Sequence, residues 1–100
     1  MTIDRPVSPE AGLVREFTIV NKRGLHARAS ARFVQTVEGF DAIVRVAREG
    51  STVGGTSIMG LMMLAASTGS SIEVEAEGRQ AEEVLNALET LIADRFGEEC

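Results

Sequence analysis

The stretch SSIEVEAEG, residues 70–78, alternates without a break. Ile72, Val74 and Ala76 fall on one side of an extended chain, and Glu73, Glu75 and Glu77 on the other. Only a sheet with one covered face and one wet face suits that pattern. The covering has to come from helices with an apolar stripe, and the chain supplies them. Between Arg79 and Phe96, the residues Ala81, Val84, Leu85, Leu88, Leu91 and Ile92 recur at helical spacing. Between Ala27 and Glu38, Ala29, Phe33, Val34 and Val37 do the same, with Gly39 expected as the C′ residue that closes the helix.

The other strands are read from the same period. LVREFTIV (13–20) puts Phe17 and Ile19 on one face and Glu16 and Thr18 on the other. DAIVRVA (41–47) is a strand, REGS a turn, and STVGGT (51–56) a returning strand, which together read as an antiparallel hairpin. SIMGLMMLAA (57–66) is a short second helix headed by Ser57. The order β-α-β-β-α-β-α implies an α+β fold, an open-faced β-sandwich with a four-stranded antiparallel sheet covered on one face by three helices. One domain is expected over 13–97, with a flexible N-terminal tail over 1–12 and a short C-terminal tail over 98–100.

Composition narrows the function classes. With no Trp or Tyr and four Phe, the core has to be aliphatic. A net charge of -5 argues against nucleic acid or an anionic membrane surface as the main partner. MTIDRPVSPE has no apolar signal-peptide core, and the longest apolar run, 58–66, is too short to span a bilayer. A cytoplasmic, monomeric protein is expected. The single Cys100 cannot form an internal disulfide. One histidine without neighbouring cysteines or paired carboxylates makes no metal site, and no cofactor motif is present.

That histidine, His26, lies in NKRGLHARAS (21–30), where a loop becomes a helix. The first N–H groups of a helix lack internal partners and, with the positive end of the helix dipole, form an anion site. Ala27 and Ala29 leave room for a phosphoryl oxygen, the backbone N–H groups of Ala27 and Arg28 are ready ligands, and Arg28 adds a charged fork. The dipole also disfavours the imidazolium, which favours a neutral, nucleophilic ring. Position alone leaves another possibility open: a polar residue beside a helix start in a small α+β ligand-binding regulatory module.

GLHARAS resembles the active-site segment of the histidine phosphocarrier (HPr) family of the bacterial phosphotransferase system. About thirty residues on, TSIMGLMMLA (56–65) resembles that family's second motif. The resemblance covers about Val14 to Arg95. It implies a four-stranded antiparallel sheet with three helices. It implies that His26 accepts a phosphoryl group on Nδ1 from the phosphoenolpyruvate-dependent enzyme I and passes it to an enzyme IIA-type protein. The chain would then be a covalent carrier, not a stand-alone turnover enzyme. Arg28 matches the arginine that contacts the phosphoryl group, and Ser57 the serine that a separate kinase phosphorylates in some bacteria. Ala29 stands where the family usually has proline, a change of little cost in a first helical turn. Gln35, Glu38 and Gly60 replace the lysines frequent in the sugar-transport branch, which resembles the nitrogen-regulatory (NPr-like) branch.

In the second motif, Ser57 is a good N-cap for the helix that follows. A buried stripe there needs Leu61, Leu64 and Ala65. Ile58, Met59 and Met62 fall partly off it: either they too belong to the core, or they form an exposed, adaptable docking patch. Gly60 costs about 1 kcal/mol inside a helix, which a closely approaching partner backbone would explain.

Overall fold

Alternating strands and amphipathic helices assemble as their periods dictate. A computed structural model of the chain describes residues 12–98; of the tail expected over 1–12, residues 1–11 lie outside these, as does Cys100. The elements are β1 (Leu13–Thr18), α1 (Ala27–Glu38), β2 (Ile43–Arg48), β3 (Ser51–Gly54), α2 (Ile58–Met63), β4 (Ser71–Glu77) and α3 (Ala81–Ala93), followed by a 3-10 turn at Arg95–Gly97. The four strands form one antiparallel sheet in the order β1-β4-β2-β3. This is the α+β open sheet with three helices that the alternation of β4 requires. No helix among the described residues is long and apolar enough to cross a membrane.

Register places the apolar residues in layers. Phe17 stands opposite Ile72, and Val74 opposite Val46. These side chains are buried under Ala29, Phe33, Val34 and Val37 of α1 and Ala81, Val84, Leu85, Leu88 and Ile92 of α3. Full burial of one such large apolar side chain contributes about 1.5–3 kcal/mol. On the open face, Arg45 spans two members of the glutamate row, with Nε and Nη2 donating to Glu75 and Glu77 at 3.1 Å each. At the sheet edge, Arg15 ties β1 to α3 by donating to Asn86 (2.8 Å) and Glu89 (3.1 Å).

Three local expectations are corrected. Gly39 closes α1 in right-handed geometry (φ -81, ψ 0), not as a left-handed C′ residue. Ala65 is exposed and left-handed (φ 55), so the chain turns there and Ala66 is buried in its place. The last helix stops at Ala93 instead of running on to Phe96, because Arg95 and Phe96 are both left-handed (φ 56 and 55). Two such residues together cost roughly 2–4 kcal/mol. Burial of Phe96, which is fully enclosed, offsets much of that. The N–H groups of Gly97 and Glu98 add bonds to Asp94 and Arg95 at 3.0 and 2.9 Å.

Candidate functional site

The loop before α1 is fixed from below. Gly24 is left-handed (φ +67), and a Cβ there would stand 2.4 Å from the Ala66 carbonyl oxygen. Glycine therefore lets this loop touch the α2–β4 connection. The next residue completes the contact: Leu25 N–H donates to Ala66 O at 2.9 Å. Asn21, fully buried, donates its side-chain N–H to Gly24 O at 2.9 Å. Ser30, also buried, donates to Leu25 O at 3.3 Å.

His26 is the N-cap of α1, in extended geometry (φ -77, ψ -177). Its carbonyl accepts from Ser30 N–H at 2.9 Å, so the N–H groups of Ala27, Arg28 and Ala29 precede the helix ladder. Proline at Ala29 would accordingly cost no ladder bond. The Arg28 N–H donates to Nδ1 of the histidine ring at 3.3 Å. The other ring nitrogen, Nε2, meets a carboxylate oxygen of Glu98. A carboxylate only accepts, and Nδ1 is already accepting, so the proton sits on Nε2 and Nδ1 keeps its lone pair. The two side chains are only 18% and 14% exposed, so this contact is largely shielded from water.

Glu98 is held in turn. Its second oxygen accepts from the Asn21 side chain at 3.1 Å. Burial raises the Glu98 carboxyl, but hydrogen bonds from Asn21 and His26 and the charge of Arg23 outweigh it and leave it below 4.5. Lys22, Arg23, Arg28 and Arg32 line a recess of about 400 Å³ together with Phe96, Gly97 and Glu98. Four of the chain's ten basic residues thus face one recess of an acidic protein. Both the helix N-terminus at His26 and this recess favour an anionic group.

Ser57 caps α2, its Oγ accepting from Gly60 N–H at 2.9 Å. Leu61 and Leu64 are buried, whereas Ile58, Met59, Met62 and Met63 are 40%, 68%, 39% and 76% exposed. Gly60 has a reason inside the chain: a Cβ would stand 2.9 Å from both Ser57 Oγ and Val53 Cβ. Arg48 fixes the far end of α2 by donating to Leu64 O at 3.0 Å.

Comparison with known proteins shows the family. A family model described as the PTS HPr component phosphorylation site matches residues 13–94. The chain belongs to the HPr family. It is 50% identical over 86 residues to the phosphocarrier protein HPr of Cupriavidus necator, covering 86% of this chain and 97% of that protein. It matches the crystal structure of HPr-C-His from Thermoanaerobacter tengcongensis with a TM-score of 0.83 and 42% identity, over 88% of this chain and 99% of that one. A second structure from that organism, described as an HPr dimer, matches with a TM-score of 0.69 and 44% identity, over 82% and 94%. Membership makes this chain a phosphocarrier of the phosphotransferase system.

Within this HPr-type site, sequence reasoning brought together His26, Ala27 and Arg28, and it placed Ser57 beside Ile58, Met59 and Met62. It missed Asn21, Lys22, Arg23 and Glu98 around the histidine, and Met63 on α2. Glu98 falls in the segment expected as a tail and carries no periodic signal. Met63 could have been found, since it continues the apolar excess of IMGLMML. Among the described residues, no group of three or more His, Cys, Asp or Glu could hold a metal ion.

Proposed function

We propose that His26 accepts a phosphoryl group on Nδ1 from enzyme I and donates it to an enzyme IIA-type protein. One observation supports this above the rest: Nδ1 is unprotonated at the N-terminus of α1, where its lone pair accepts from the Arg28 N–H. That N–H turns from the ring nitrogen to a phosphoryl oxygen once the N–P bond forms. The Ala27 N–H offers a second donor, and the Arg28 guanidinium stabilises charge on the moving group from the basic recess. Ile58, Met59 and Met62 form the docking surface beside it, with Met63 extending it. Phosphorylation of Ser57 by a serine kinase places charge at the rim of that surface and obstructs docking. Gln35 and Glu38 on the exposed side of α1 favour the regulatory, nitrogen-type branch as the destination of the phosphate.

The test is incubation with enzyme I and phosphoenolpyruvate, read by intact mass and peptide mapping. The wild type gains one acid-labile, base-stable phosphate on His26, and His26→Ala gains none while keeping its thermal melt. Phosphate mapped to another residue, or none gained by the wild type, overturns the assignment; the latter result favours a ligand-binding module. Screening IIA-type proteins as acceptors then decides the branch.

A further inference from the structure

We propose that Glu98 is a positioning residue for phosphoryl transfer: it holds the His26 ring through Nε2–H and balances the charge the ring acquires. This rests on the reading of His26 as the phosphoryl acceptor. The step is a substitution at phosphorus. The Nδ1 lone pair forms the new N–P bond, and the bond to the donor's leaving atom breaks, its electron pair returning to the donor. No proton has to move, because Nε2 already carries the only one on the ring. A ring substituted at Nδ1 and protonated at Nε2 is cationic, whereas before the step it was neutral. The pairing of that cation with the Glu98 carboxylate is therefore weak in the ground state and strong as the N–P bond forms. Interactions that strengthen along the reaction are the ones that raise its rate.

The surroundings make this compensation necessary. His26 caps the positive end of α1, and Arg23 and Arg28 stand nearby, so a cationic ring has little else to favour it. The carboxylate is also pre-organised. Asn21 holds its second oxygen at 3.1 Å, and Asn21 is itself fully buried and tied to Gly24 O. The backbone that delivers Glu98 is a hook: the left-handed pair Arg95 and Phe96, with the Phe96 ring enclosed in the core. Gly97 lies so close to Arg32 that a Cβ would stand 3.0 Å from its Nη1. None of these contacts is needed to close α3, which ends at Ala93. They share one result, a carboxylate fixed on the histidine.

Two variants test it. Glu98→Ala removes the acceptor and the charge; Glu98→Gln keeps an acceptor and removes the charge. Initial rates of phosphate uptake from enzyme I are compared with thermal melts and with ¹⁵N spectra of the unphosphorylated His26 ring. Both variants should take up phosphate about tenfold more slowly than wild type, equivalent to about 1.4 kcal/mol, while remaining folded at the assay temperature. In wild type the spectra should show one unprotonated nitrogen at Nδ1 and a slowly exchanging proton at Nε2. In Glu98→Ala that proton exchanges freely. Wild-type uptake rates in both variants overturn the proposal. A wild-type rate in Glu98→Gln alone overturns the charge balance and leaves Glu98 as a hydrogen-bonding support. If Glu98→Ala unfolds, Glu98→Gln decides. A wild-type protein that takes up no phosphate instead overturns the reading of His26, and the ring spectra still report whether Glu98 holds it.

Discussion

Replacing Gly24 by alanine perturbs the site from beneath without touching a reacting group, and its cost can be worked out. Alanine in the left-handed region costs about 1–2 kcal/mol. Its Cβ would stand 2.4 Å from Ala66 O and 2.9 Å from Ser67 Cα, both backbone atoms that no rotamer change can move aside. Ordinary contact begins at 3.4 Å, so the two loops have to part by about 1 Å. That separation breaks the 2.9 Å bond from Leu25 N–H to Ala66 O. Loss of a buried bond with its groups unsatisfied costs about 1–3 kcal/mol. Alanine restricts the unfolded chain, which returns about 0.4–1 kcal/mol. The net destabilisation is about 2–4 kcal/mol, a large share of the 5–15 kcal/mol typical of a domain. At about 4–8 °C per kcal/mol for this size, the melting temperature falls by roughly 10–30 °C. Gly39→Ala is the control: its φ is negative and a Cβ meets Thr36 O at an ordinary 3.5 Å, so its melt should stay within a few degrees of wild type. The assay is thermal and urea denaturation by circular dichroism of both variants. A Gly24→Ala melt as close to wild type as that of Gly39→Ala would refute the claim that loop contact dictates glycine here.

Two further outcomes are expected. Ser57→Ala loses the cap on Gly60 N–H and should cost about 0.5–2 kcal/mol, whereas Ser57→Asp keeps an acceptor and should melt near wild type while phosphate uptake from enzyme I weakens; equal uptake by Ser57→Asp and wild type would leave Ser57 as a cap only. The Glu98 carboxyl is held below its ordinary 4.5, so its contribution to stability is fully present above that value and is lost as the pH falls through the lower folded-state value. Urea titrations of wild type and Glu98→Gln should accordingly differ at pH 6 and converge in acid below pH 4.5, and a gap that widens in acid would contradict the assigned direction.

Elements whose residues repeat were legible in the sequence, and those that turn on one backbone angle were not. The β4 alternation and the α1 stripe bury the side chains their periods point inward, and the α3 stripe does so at every position but Leu91, which is only half-buried. The α1 boundaries follow from His26 as cap and the last apolar residue, Val37. The left-handed turns at Ala65 and Arg95–Phe96 escaped because local rules reserve that region for glycine, while burial of Ala66 and Phe96 decides it here. Glu98 escaped for a related reason. Its partner lies 72 residues away, and only the hook brings it back. Gly60 was legible as an anomaly, but its explanation in Val53 required the packing of α2 on β3.

The strand order has a consequence for how the chain comes off the ribosome. β1 is synthesised before the other described strands, yet among the described residues its only partner is β4, with Leu13 set against Ala76. The β2–β3 hairpin alone can form from neighbouring residues. At about 5–20 residues per second, β1 waits several seconds for its neighbour. Closing a loop of that length is the entropic step that non-local sheets have to complete before pairing stabilises them. The histidine loop inherits this delay, because it rests on Ala66 and Ser67, in the connection leading into β4. A nascent chain halted before residue 66 would display the whole GLHARAS motif and possess no folded site.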